Sequence, residues 1–221
     1  MLLHRDDPAK DPLVGNIKVT RQDWLNAARS VLKSGGVEAV KVAELATRMQ
    51  VSRSSFYWYF KNRTDLLDAL LAHWQETNTA ALVAQTNVPA ATITEACCNV
   101  FRCNIDTTLY DPQLEFAVRD WARRSDPVRR VLAESDALRI AALKSMFMRF
   151  DYAEQNATAR ARVIYYMQLG YEDARLGEPL EERLRLVPDY LLSFTGQTAS
   201  VEEIAAFRPT DSWPSLAMTI A

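Results

Sequence analysis

Apolar residues recur three and four positions apart along most of the chain, and nothing alternates with period two for long, so the pattern predicts helices joined by short polar breaks. Trp24, Leu25, Ala28, Val31 and Leu32 mark the first helix, which Thr20 and Asp23 announce as a variant capping box and Gly35-Gly36 stops. A second, over 42–49, buries Val42, Leu45, Ala46 and Met49; Gln50-Val51 leaves room only for a tight turn, and Ser52 caps a third over 53–59. Beyond Lys61-Asn62-Arg63, Thr64 is the expected cap of a long helix over 64–85 with Leu67, Leu70, Leu71 and Trp74 on one side. Further helices are expected near 92–110, 112–124, 126–150, 153–176 and 179–194, with a short one near 201–207.

Composition narrows the class. With 48% hydrophobic and 24% charged residues the chain can bury a real core, and only 6 glycines among 221 residues disfavour dinucleotide-binding loops and many-hairpin sandwiches. No apolar run approaches the roughly 18 residues of a membrane span, and the acidic start lacks the features of a signal peptide, so a cytoplasmic protein with no membrane partner is expected. Cys97, Cys98 and Cys103 have neither zinc-knuckle nor redox spacing and read as small core residues. His4 and His73 stand too far apart to suggest a metal site, and no cofactor motif is present. The net charge of −2 conceals a polarity. Residues 18–63 hold nine Lys and Arg against three Asp and Glu, a balance of +6, while the remainder sums to −8.

The basic stretch contains the segment with the most chemistry. The helices over 42–49 and 53–59 have helix-turn-helix spacing, and with the first they make a trihelical unit. If Phe56 and Phe60, four apart, point into its core, then Arg53, Ser54, Tyr57 and Trp58 face largely outward. Exposed rings beside an arginine suit the major groove of double-stranded DNA, where Arg reads guanine and hydroxyls reach phosphates or base edges. Lys41, Lys61 and Arg63 flank that helix and would touch the backbone. The alternative is a mini-core of aromatics beneath a solvated basic face.

These residues resemble a known family. Val42-Ala43-Glu44-Leu45-Ala46, Val51-Ser52, Phe56-Tyr57-Trp58-Tyr59-Phe60-Lys61-Asn62-Arg63 and Asp65-Leu66-Leu67 are similar to the N-terminal domain of TetR-type transcriptional regulators, over about residues 19–71. Residues 1–18, with Pro8, Pro12 and Gly15 among charges, read as a flexible arm, and the resemblance implies an all-α fold with a three-helix DNA-binding domain with a helix-turn-helix over 19–65 and a larger helical effector-binding and dimerisation domain over 66–221. It implies that Arg53, Ser54 and Ser55 face bases, that Tyr57, Trp58 and Tyr59 hold phosphates or bases, and that Arg63 holds phosphate. Two positions depart from the family pattern: Lys41 stands where Thr or Ser is common, and Gln50 where the turn usually has Gly.

One recognition helix reads only a few base pairs, so a homodimer is expected. Leu180, Leu184, Val187, Leu191 and Phe194 follow 4-3-4-3 spacing like a coiled-coil seam, and Ala159, Val163, Tyr166, Met167 and Gly170 give a second stripe. Both stripes serve equally well in an intrachain core, and Pro188 would kink the last helix. An effector cavity, which the resemblance implies, has as candidate lining Phe116, Arg119, Asp120, Trp121, Phe147, Tyr166 and Gln168, suited to a small apolar or aromatic molecule. The resulting expectation is a ligand-responsive repressor that binds a near-palindromic operator. A helical protein-interaction adaptor is the alternative. An enzyme using Asp111, Glu115, Arg119 and Asp120 is a weaker one, since a carboxylate there could act as acid or base only if burial raised its pKa.

Overall fold

The computed structural model describes residues 19–207; the expected flexible arm over 1–18 lies outside the described residues. Helix α1 (Arg21–Gly35) starts at Thr20, whose side chain accepts from the Asp23 amide while the Asp23 carboxylate accepts from the Thr20 amide at 2.8 Å. A 3-10 turn, Val37–Ala39, leads into α2 (Val42–Arg48). The turn that follows is a Schellman closure, with the Val51 amide donating to the Ala46 carbonyl at 3.0 Å and the Gln50 amide to Thr47 at 3.1 Å.

That closure holds Gln50 at φ 57°, in the left-handed region where a Cβ is strained by about 1–2 kcal/mol. Gln50→Gly is expected to stabilise the protein by about 0.5–1 kcal/mol, part of the relief being offset by the more flexible unfolded chain. Urea unfolding reads the change, and a loss of stability would show that the turn is not closed this way in solution.

Helix α3 (Arg53–Phe56) is shorter than the expected 53–59. From Tyr57 to Tyr59 each amide donates to the carbonyl three residues back, so the chain tightens into a 3-10-like turn. Ser52 occupies the N-cap position of α3, but its hydroxyl bonds the Ser54 hydroxyl at 2.9 Å and caps no amide. Helix α4 (Arg63–Trp74) is capped two residues earlier than expected, by Asn62 and not Thr64: the Asn62 side chain accepts from the Asp65 amide at 3.0 Å. The helix continues through one π-helical turn, Gln75–Thr79, into α5 (Ala80–Thr86).

The remaining helices are α6 (Ile93–Phe101), α7 (Pro112–Ala122), α8 (Asp126–Met148), α9 (Glu154–Ala174), α10 (Leu180–Arg185), α11 (Val187–Thr195) and α12 (Val201–Phe207). The helix expected over 92–110 stops at Phe101 and gives way to a 3-10 turn, Arg102–Asn104. The one expected over 179–194 divides at Leu186, just ahead of Pro188, which fits the first turn of α11 because its missing N–H is not needed there.

Two buried clusters organise these helices. The first gathers Trp24, Leu32, Leu45, Phe56, Phe60, Leu66, Leu70 and Trp74 from α1 to α4 with Leu114, Val118 and Trp121 from α7. The Phe56 ring meets Trp24 edge-on at 5.2 Å and stacks on Phe60 at 5.4 Å, fixing α3 against α1. The second joins α5, α6, α8, α9 and α11 through Cys97, Leu143, Met146, Phe147, Ile164, Leu191 and Phe194. The three thiols are buried and free; burial pushes Cys98 and Cys103 up to about 12 and Cys97 further still, so they behave as small apolar groups. Among the described residues no helix is long and apolar enough to cross a membrane.

Candidate nucleic-acid interface

With Phe56 and Phe60 sealed in the core, the opposite edge of α3 and its following turn faces solvent. Trp58 is 81% exposed and Tyr57 52%, unusual for large rings that have a core available to them. Arg53 and Ser54 lie exposed on the same segment, and Arg53 forms no hydrogen bond or ion pair among the described residues. Lys61 is exposed just beyond the turn. Lys41 is exposed at the start of α2, in a loose surface pair with Glu44 at 3.0 Å that a stronger anion can displace.

Three of the anticipated contact residues face elsewhere. The Arg63 guanidinium donates from Nε to the Val40 carbonyl at 2.6 Å and from Nη2 to the Val37 carbonyl at 2.5 Å, closing the 3-10 turn onto the start of α4. The Tyr59 ring is half-buried and its hydroxyl donates to the Val19 carbonyl at 2.6 Å. The Ser55 hydroxyl donates to the Ser52 carbonyl at 2.7 Å. All the acceptors are backbone carbonyls, and those of Ser52 and Val37 also accept from the Ser55 amide at 3.1 Å and the Val40 amide at 3.2 Å.

The residues anticipated for an effector divide. Phe116 and Gln168 line a cavity of about 30 Å³ with Leu82, Val100, Leu143 and Tyr165. The other five do not line it. Trp121 belongs to the core beneath α1 and α4, Phe147 is fully buried in the second core, and Asp120 and Tyr166 face solvent. Arg119 is consumed by Glu115 at 2.9 Å, Asp136 at 2.6 Å and the Tyr165 hydroxyl at 2.9 Å.

The seam anticipated at Leu180, Leu184, Val187, Leu191 and Phe194 is also corrected. Val187, Leu191 and Phe194 are buried inside the chain, and Leu180 and Leu184 pack against the same core, because α11 folds onto α6 and α9. In the second stripe Met167 is half-buried, whereas Ala159, Val163, Tyr166 and Gly170 point outward, Val163 and Tyr166 being 54% and 56% exposed. On the neighbouring helix α8, Leu138 and Met148 are likewise exposed, at 54% and 44%.

A buried polar network that residue spacing does not announce ties α4 and the π turn to α7 and α8. Glu115 is 1% exposed and Arg139 fully buried. Glu115 Oε1 accepts from Arg139 Nη1 at 2.8 Å, and Oε2 accepts from Trp74 Nε1 at 2.7 Å and Arg139 Nη2 at 3.1 Å. Arg139 reaches on to the Thr79 hydroxyl in the π turn, and Asn78 in the same turn donates to the Asp111 carbonyl at 2.9 Å. Burial by itself would raise the Glu115 pKa, but the Arg139 and Arg119 guanidinium groups outweigh it and hold the carboxyl down to about 2. The acid–base alternative required the opposite shift, so the carboxylate of this face is a fixed anion within an ion pair. No group of three or more His, Cys, Asp or Glu among the described residues is placed to hold a metal.

Comparison with known proteins points the same way as the three-helix unit. The profile of bacterial regulatory proteins of the tetR family matches residues 25–70. The Transposon Tn10 TetC protein of Escherichia coli is 37% identical over 54 residues, which cover 24% of this chain and 27% of that protein. The class C tetracycline repressor protein of Escherichia coli is 38% identical over 53 residues, 24% of each chain, so the match spans about a quarter of these relatives' length. Across the whole fold, the TetR transcriptional regulator from Legionella pneumophila superposes with a TM-score of 0.62 at 19% identity, covering 81% of this chain and 98% of that one. Mycobacterium smegmatis AmtR gives 0.58 at 18% identity, over 90% and 94%. The segment that carries α1 to α4 is thus similar in sequence to the tetR family of bacterial regulatory proteins, and the whole chain is similar in fold to these solved structures.

Proposed function

We propose that the protein is a homodimeric, ligand-responsive transcriptional repressor, with residues 19–65 as its DNA-binding domain and the helices behind it as the effector-binding and dimerisation domain. The observation that carries the reading is the outward edge of Arg53, Ser54, Tyr57 and Trp58, flanked by Lys41 and Lys61 on the part of the chain with excess positive charge. Seated in a major groove, Arg53 and Ser54 meet base edges while the rings and lysines meet the sugar–phosphate walls.

Two such edges read a near-palindrome when a twofold axis sets them one helical turn apart. The exposed apolar residues of α8 and α9, Leu138, Met148, Val163 and Tyr166, support a pairing of this helical hairpin with its copy. A small apolar or aromatic effector that enlarges the cavity beside Phe116 and Gln168 presses on Leu82 of α5 and so on the continuous helix that begins at Arg63. Only a molecule that prefers one dimer shape to the other shifts the equilibrium and releases DNA.

Footprinting on enriched genomic fragments tests the reading. A near-palindromic site is expected, with log K falling by about 0.9 per neutralised phosphate as log salt rises. Val163→Arg, on a surface already exposed, is expected to yield a folded monomer that has lost the footprint. Affinity indifferent to salt and sequence would leave the protein-interaction adaptor as the better account.

A further inference from the structure

A second cavity lies between α6, α9 and α11, at the far side of the second core, with a volume of about 60 Å³. Its walls are aromatic: Phe101 and Phe194 meet edge-on at 5.9 Å, and Tyr190 stacks on Phe194 at 6.0 Å. The side chain that closes it comes from the last described residue. Phe207, at the end of α12, is 2% exposed and contributes to the cavity lining.

Apart from Phe207, helix α12 is held by polar bonds, among them one from Arg102 to the Ala206 carbonyl at 3.4 Å, and by Ile204 packed on the core. It is seven residues long, too short to be stable alone, and Val201 at its start is 81% exposed. Polar latches hold its first turn: Glu203 accepts from the Thr92 and Thr94 hydroxyls of the α6 cap, the latter at 2.9 Å, and from the Ser200 amide at 2.6 Å. Only Phe207 goes deep; Ile204 is half-buried.

The polar groups at the cavity define what would replace that ring. Arg183 is already paired with Glu172 at 3.1 Å and lies over the Tyr171 ring at 4.9 Å, so the charges there are balanced. The Asn104 side-chain amide forms no hydrogen bond among the described residues, and the Gln168 amide donates to Glu172 at 3.2 Å, leaving its carbonyl open. Asn104 and Gln168 line this cavity and the smaller one beside Phe116 alike, and so stand between the two. An apolar cavity of about 150 Å³ admits a benzene ring, and 60 Å³ does not, so a ring can enter only where another leaves.

We propose that this cavity is a second small-molecule site, for a neutral aromatic ligand bearing one hydrogen-bonding group of the indole or phenol kind, and that Phe207 is its built-in competitor. The ligand's ring takes the place of the Phe207 ring, its polar group bonds Asn104 or Gln168, and α12 detaches from α6. The site is independent of DNA binding, so the proposal and the repressor reading can fail separately.

The test uses the full chain carrying methionines labelled at the methyl carbon, with indole as probe and benzoate as its charged counterpart. Phe207→Ala is expected to bind indole at least tenfold more tightly than the unaltered protein, shifting the methyl of Met167 in the cavity wall and leaving Met146, in the same core but not in the cavity wall, in place. Benzoate is expected to bind at least tenfold more weakly than indole. Should Phe207→Ala unfold, Glu203→Ala releases the same latch from the surface and is expected to tighten indole binding severalfold. Equal affinity in the variants and the unaltered protein, a shift at Met146 without one at Met167, or equal binding of benzoate would overturn the proposal.

Discussion

Arg139→Met is expected to lower the unfolding free energy by about 3–5 kcal/mol, because it leaves the Glu115 carboxylate buried without its main counter-charge. Methionine fills most of the volume, so the loss reports charge more than packing. Pairing Arg139→Met with Glu115→Leu is expected to recover much of the deficit, since a well-packed apolar pair removes the uncompensated charge. Urea unfolding of the two single variants and the double variant gives the coupling directly. An additive result would mean that the two groups do not share one ion pair.

Acid should reveal the same pair. A carboxyl held near 2 in the folded chain and near its ordinary value of 4.5 when unfolded contributes stability above about pH 4.5 and loses it as pH falls toward 2. Glu115→Gln is expected to flatten that part of the pH–stability curve. Because Arg139 also bonds Thr79, amide exchange over the π turn Gln75–Thr79 is expected to quicken in Arg139→Met.

The second large effect concerns DNA. Tyr57→Ala and Trp58→Ala are expected to weaken binding to every sequence by roughly 1–3 kcal/mol, the scale of a lost ring contact with nucleic acid. Arg53→Ala is expected to relax preference at one or two base pairs by about 1–3 kcal/mol. Arg63→Ala separates fold from contact: it removes two hydrogen bonds to backbone carbonyls, of which Val37 keeps the Val40 amide, and is expected to lower stability by about 1–3 kcal/mol while leaving the salt slope unchanged. A slope reduced by about one unit in Arg63→Ala would return that residue to the phosphate contacts.

What could be read from the sequence was local. The capping box at Thr20 and Asp23 needs only three residues, and the outward turn of Tyr57 and Trp58 follows from the i, i+4 spacing of Phe56 and Phe60. The inward bonds of Ser55, Tyr59 and Arg63 could not be read, because their acceptors are carbonyls of Ser52, Val19, Val37 and Val40 and a carbonyl carries no residue identity. The stripe from Leu180 to Phe194 misled for a different reason. Its period states that a face is buried but not whether the chain or its copy buries it. Glu115 and Arg139 lie on separate helices, and nothing in the spacing of Arg139, one of three arginines on α8, names Glu115 as its partner. The shared edge of the two cavities at Asn104 and Gln168 depends on how three helices meet, which spacing along the chain does not encode.

The double bond from Arg63 to Val37 and Val40 has a mechanical consequence. It clamps the first residue of α4 to the turn that enters α2, so the reading edge and the beginning of α4 travel as one rigid piece. From Arg63 to Thr86 the continuous helix is roughly 35 Å long at 1.5 Å per residue. A tilt of about 5° at its distal end sweeps the clamped end through about 3 Å, close to the 3.4 Å rise of one base pair. On the proposed reading, a lever of this length would let a side-chain-sized disturbance beside Leu82 change which step of a duplex the edge meets.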